Sequence, residues 1–211
     1  LNKYIVGNKK MTDNINEQNG VLLQGHIKIS DPESGKVIVD KRNAIHYENM
    51  SIALAESITN AGEGFVYEMS FGNGGTSVDP TGIITYLTPN STGTNASLYN
   101  QTYTKVVDDR SVNNTDPARN KLETRHVSGT NYTDVIVSCL LDYGEPNGQD
   151  AFDTANDLTN NYIFDELGLR SYDTSGSGRL LTHVIFHPVQ KSLNRLIQID
   201  YTVRIQSLSG V

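Results

Sequence analysis

Hydrophobic and polar positions alternate in short runs along this chain, and the alternation predicts strands. In the clearest run, Ile197, Ile199, Tyr201, Val203 and Ile205 interleave with Gln198, Asp200, Thr202, Arg204 and Gln206 without exception. A period of two sets one row against a core and the other in water. Near the start, His26-Ile27-Lys28-Ile29-Ser30 and Lys36-Val37-Ile38-Val39-Asp40 flank Asp31-Pro32-Glu33-Ser34-Gly35. This reads as a hairpin: Pro32 presets the turn and Gly35 tolerates positive φ. Further strands are expected over residues 66–71, 83–87, 103–107, 122–127, 134–141, 162–169 and 180–186. The segment 134–141 is apolar enough to belong in the core. One segment follows a helical period instead. Met50, Leu54 and Ile58 recur at i, i+4, i+8, which predicts a helix over 49–58 stopped by Gly62 and Gly64.

Strands without intervening helices argue against a parallel sheet. The expected fold is mainly β, an antiparallel β-sandwich with one short α-helix and long polar loops. Residues 20–211 read as a single domain with an irregular insertion at about 88–160. Residues 1–19 read as a flexible N-terminal arm, with Leu1 and Met11 as alternative starts. The arm or the Asn/Thr/Ser-rich loop 88–101 is expected to order against another subunit. Pro188 and residues 191–194 are expected to connect the last two strands.

Composition narrows the function classes. With 17 Lys+Arg against 24 Asp+Glu, a formal charge of −7, the chain lacks the basic footprint of a nucleic-acid binder. One Cys excludes an intramolecular disulfide framework and a Cys-based zinc site. No apolar run approaches the roughly 20 residues of a membrane-spanning helix, and Tyr4-Ile5-Val6 is too short for a secretory core. A hydrophobic share of 36% leaves a modest core and favours assembly.

Candidate chemistry is sparse. Gly72-Asn73-Gly74-Gly75-Thr76 lacks the Lys of a phosphate loop and reads as a tight turn using positive φ. His183 and His187 would share a strand face about 13 Å apart, too far for one metal ion. Cys139, inside an apolar strand, reads as a buried, inert thiol. The adjacent acids Asp108-Asp109 and Asp165-Glu166 would point to opposite faces and so not act as pairs. Asp153, Asn156 and Asp157 do not match calcium-loop spacing. The sequons at Asn49, Asn90, Asn95, Asn100, Asn113 and Asn131 read as chance in an Asn/Thr-rich chain. No catalytic, metal or cofactor site is expected, and the chain is read as non-enzymatic.

Two segments carry a resemblance. Residues 31–46 combine an Asp-Pro-Glu-Ser-Gly turn, a strand and an Asn43-Ala44-Ile45 entry to the helix. This resembles small virion proteins of tailed bacteriophages. Phe164-Asp165-Glu166-Leu167-Gly168-Leu169, followed by Leu180-Leu181 and by Pro188-Val189-Gln190-Lys191, is similar to attachment domains of phage tail, collar and fibre proteins. Residues 88–160 carry no such resemblance. It implies a virion component, localised to the particle, that assembles as a homo-oligomer with other virion proteins. It acts as an adaptor in the neck, tail or baseplate, or alternatively as a capsid decoration protein. Strict alternation would put Phe164 on one face of its strand and Leu167 and Leu169 on the other. These three are the candidate subunit contacts, with a strand buried within an ordinary sandwich as the equal alternative. A third reading is a carbohydrate-binding module, with Tyr86, Tyr99, Tyr103, Tyr132 and Tyr143 stacking on sugar rings.

Overall fold

The computed structural model describes residues 20–146, 161–174 and 178–208. The arm expected over 1–19 and the last part, residues 147–160, of the insertion expected at about 88–160 lie outside the described residues. The fold is mainly β, with 52% of the described residues in strands. Among the described residues, eleven strands and one helix follow in order: β1 (Gly20–Ser30), β2 (Val37–Ile45), α1 (Tyr47–Ile58), β3 (Val66–Gly72), β4 (Thr76–Val78), β5 (Ile84–Tyr86), β6 (Gln101–Val106), β7 (Lys121–His126), β8 (Tyr132–Leu141), β9 (Asn161–Ser171), β10 (Thr182–Ser192) and β11 (Ile197–Leu208).

Nine strands form one curled antiparallel sheet in the order β6-β3-β9-β10-β2-β1-β11-β8-β7, while β4 and β5 pair separately. The curl makes the sheet sandwich-like, as the sequence pattern predicts. Its two halves join through two residue pairs between β2 and β10, Thr182 with Ile45 and His183 with Ala44. Lys41 adds a tie there, its Nζ donating to the Ile185 carbonyl at 2.7 Å. The first and last strands of the body, β1 and β11, lie side by side without a register break, from Gly20 opposite Leu208 to Ser30 opposite Gln198.

A single core cluster draws on both halves. Ile27, Ile29, Val137, Cys139, Ile199 and Tyr201 come from one, and Met69, Phe71, Tyr162, Phe164, Leu167 and Leu169 from the other. Phe164 packs edge-on against Phe71 and Phe186, with centroids 5.4 and 5.8 Å away. Burying each such side chain contributes about 1.5–3 kcal/mol. In β11 the alternation is realised: Ile197, Ile199, Tyr201 and Val203 are buried and the residues between them half-buried.

The helix begins two residues earlier than its apolar stripe predicts. His46 caps it, with Nδ1 accepting from the Asn49 backbone N–H at 3.2 Å. Two further bonds dock its first turn: the His46 N–H donates to the Leu181 carbonyl and Asn49 Nδ2 to the Leu180 carbonyl. Met50 and Ala53 are buried, but Ile58, the last member of the expected stripe, is 83% exposed. The helix leans onto the body through Asn49 to Leu54, and its last residue, Ile58, stands clear of it.

Two strand expectations change. Pro188 lies within β10, not in a connection, and the strand runs on to Ser192. Proline is tolerated there because β10 carries extra residues between Ile185 and Val189, where no ladder bond needs its missing N–H. β9 itself departs from strict alternation at Asp165 and Glu166. Phe164, Leu167 and Leu169 then all enter one core cluster, instead of dividing between two faces.

Candidate functional site

Asp165 and Glu166 sit between Phe164 and Leu167, where two charges interrupt an apolar strand. Both carboxylates turn to the loops covering β9, correcting the expectation of opposite faces. Asp165 accepts from the backbone N–H groups of Gly75 at 2.9 Å and Thr76 at 2.8 Å, and from the Thr76 hydroxyl. Glu166 is fully buried and takes four donors. Its Oε1 accepts from the N–H groups of Gly74 at 3.1 Å and Asn100 at 2.8 Å. Its Oε2 accepts from Tyr99 N–H and His183 Nε2, both at 2.9 Å. His183, also fully buried, accepts the Asn90 N–H at Nδ1, 2.8 Å away. That bond places the ring proton on Nε2, where it is donated to Glu166.

The arrangement fastens two loops, 72–76 and 88–100, onto the sheet. Glycine is needed in the first for close approach. A Cβ on Gly72 would lie 2.4 Å from the Asn100 carbonyl oxygen, and one on Gly74 would lie 2.7 Å from the Asn100 nitrogen. Positive φ, expected for this run, is not used at Gly72, Gly74 or Gly75.

Burial pushes the Glu166 pKa upward, but the His183, Asn100 and Tyr99 donors outweigh it and hold the carboxyl below its usual range. Burial raises the Asp165 pKa with help from the Glu166 charge, and the Gly75 and Thr76 donors oppose it only in part. The carboxylate–imidazole pair has the components of acid–base chemistry, but it is closed to solvent and every polar atom of it is engaged.

A second buried charge follows in the same strand. Arg170 donates from Nε to Ser70 Oγ, from Nη1 to the Gly178 carbonyl, and from Nη2 to Ser97 Oγ and Gln101 Oε1. Beside it opens a polar cavity of about 730 Å³ with Thr94, Asn95, Ser97, Gln101 and Arg179 on its walls. A third cluster joins Lys105, Glu145 and Lys191. Lys105 pairs with Glu145 and donates to the Leu140 carbonyl, while Lys191 donates to the carbonyls of Asp142 and Ser192. Burial pushes the Lys191 amine down to about 8.

The remaining sequence candidates separate. Phe164, Leu167 and Leu169 are fully buried within their own chain, so the surface expected of them as subunit contacts is already covered. His183 lies in the buried pair, whereas His187 is exposed and meets the Tyr86 hydroxyl at 3.3 Å. Cys139 is fully buried and its thiol is pushed up to about 12 by burial. Among the described residues, no group of three or more His, Cys, Asp or Glu side chains could hold a metal ion. Of the tyrosines, Tyr86, Tyr99 and Tyr143 are exposed, and each has its hydroxyl bonded, to His187, the Thr88 carbonyl and Glu33. Tyr103 and Tyr132 are half-buried, with Arg204 stacked on Tyr132 at 3.9 Å. Several sequon asparagines tie loops down instead of standing free: Asn49 to Leu180, Asn90 to Ser97, Asn113 to the Tyr67 hydroxyl and Asn131 to Ser207.

No protein-family model, curated protein or solved structure matches the chain.

Proposed function

We propose that this chain is a non-enzymatic structural subunit of a tailed-phage virion, an oligomeric adaptor in the neck, tail or baseplate. The observation that carries the reading is the use made of its buried charge. Glu166, His183 and Asp165 all hold polar loops against a β body, and none of them faces an open reaction space. A scaffold needs loops of fixed shape, and a catalyst needs an accessible acid or base. The resemblances of residues 31–46 and 164–191 supply the particle. Mass spectrometry of purified virions tests it: the chain is expected at low copy number, resolved by cryo-electron microscopy at the neck, tail or baseplate. A copy number that follows the capsid lattice favours the decoration alternative, and absence from particles overturns both.

The cavity beside Arg170 favours a second reading, a receptor-recognition module for carbohydrate. Its walls offer hydroxyl, amide and guanidinium groups, the donors and acceptors that hold sugars. Binding on a glycan array that is lost in Gln101→Ala would select it. A clean negative would remove it.

A further inference from the structure

An apolar groove runs between α1 and the curled sheet. It encloses about 450 Å³, with Leu54, Leu122, Val135 and Ile205 among its walls. It reaches down to Leu169 and Val203, both buried core residues, so it is an opening in the core and not a shallow patch. The two charged residues that line it, Asp109 and Arg110, cancel, and Arg110 is already bonded to Asp108. An unpaired charge brought there would be costly, so the groove calls for an uncharged, apolar occupant.

The sheet register shows which part of the chain lies beside it. Ile205, in the groove wall, stands opposite Leu23 of β1, which packs against the core cluster. Two residues earlier and on the same face of β1, Val21 is 62% exposed. β1 opens at Gly20, opposite Leu208, three residues beyond Ile205 on β11. At roughly 3.4 Å per residue, the start of β1 is about 10 Å from the groove wall. Residues 1–19 therefore join the body next to the groove, and Val21 and Leu23 make an apolar track from the junction to the wall.

The sequence of that segment matches the lining. Tyr4-Ile5-Val6 is its longest apolar run, and it opens an uncharged stretch, Tyr4 to Asn8, between Lys3 and Lys9. Residues 7–19 tether it to Gly20, and a chain of that length reaches about 45 Å when extended, well beyond the distance to be bridged.

We propose that Tyr4-Ile5-Val6 seats in the groove between α1 and the sheet of its own chain and closes the core there. The tether makes the contact intramolecular, with an effective concentration of order millimolar. The chain's own segment then outcompetes that of a neighbouring copy in more dilute solution. The contact stands apart from the virion reading and needs no part of it.

Fluorescence tests it in the full chain. The chain has no Trp, so Tyr4→Trp introduces a sole reporter. Its emission is expected to lie to the blue of its emission in denaturant, to be shielded from iodide, and to be the same at every protein concentration. Two further changes act on the groove alone: Leu54→Asp sets a charge in its wall, and Ser57→Arg crowds its mouth from an exposed position on α1. Added to Tyr4→Trp, each is expected to return the emission to that of a solvated indole with circular dichroism unchanged. If Leu54→Asp disturbs the fold, Ser57→Arg carries the test. A solvated indole in Tyr4→Trp itself would overturn the proposal. So would a blue shift that survives Ser57→Arg, because the segment would then be buried elsewhere. A blue shift that appears only as concentration rises would assign the groove to a neighbouring copy and would overturn it as well. None of these outcomes bears on whether the chain is found in virions.

Discussion

Glu166 shows how much one side chain organises here. Removing its carboxylate would orphan three backbone N–H groups and the His183 Nε2–H in a closed site, and each unsatisfied buried donor costs about 1–3 kcal/mol. Glu166→Ala is therefore expected to destabilise the fold by about 3 kcal/mol or more in urea titration, with hydrogen exchange rising first at Asn90, Tyr99 and Asn100. The pH dependence follows from the lowered Glu166 pKa. The unfolded chain holds the Glu166 proton more readily, so this group's contribution is fully present above about 4.5 and lost as pH falls through the lower folded value. Asp165, with a raised folded pKa, has the opposite sign: its contribution is present at acid pH and lost as pH rises through that value. In melting experiments the gap between wild type and Glu166→Gln should narrow as pH falls from neutral to acid. A gap that stays constant would mean Glu166 does not titrate with folding. At this scale the sequence was only half legible. A charged doublet in an apolar strand signals a buried role, but its partners lie 66 to 92 residues away in Gly74, Tyr99 and Asn100. No local pattern encodes such a bond.

Among the elements, those written in alternation were legible and those shaped by irregularity were not. β11 and the β1–β2 hairpin follow their sequence periods where alternate residues are buried, Ile197 to Val203 in β11 and Ile27, Ile29 and Val39 in the hairpin. β4 and β5 have three residues each, too few for a period to register. In β9, Asp165 and Glu166 both turn to the covering loop and break the period, so Phe164 joins Leu167 and Leu169 instead of opposing them. The helix gives a measurable contrast. Met50 is buried and Ile58 exposed, although the stripe treats them alike. Met50→Ala is expected to cost about 2 kcal/mol, the low end for such truncations because the residue already borders a groove. Ile58→Glu should lie within about 0.5 kcal/mol of wild type. Paired denaturation curves check both, and equal losses would mean the helix packs along its whole length.

For the whole molecule, the single thiol is a reporter of cooperativity. Cys139 sits in the shared core of both halves, fully buried, with its pKa raised to about 12. Labelling by a thiol reagent at neutral pH should be very slow in the native state. Across a denaturant series it should appear at the midpoint seen by circular dichroism, since only opening of the core exposes the sulfur. Labelling well before that midpoint would show that the two halves, joined by two residue pairs between β2 and β10, separate before they unfold.

The β1–β11 pairing has a mechanical consequence. Gly20 and Leu208 face each other at one end of a continuous antiparallel ladder. A force applied through those two residues would peel the rungs apart one after another and would never load them together. Drawn that way, the body should yield at low force in a single-molecule stretching experiment. A body joined in this way serves best where no tension enters through Gly20 and Leu208.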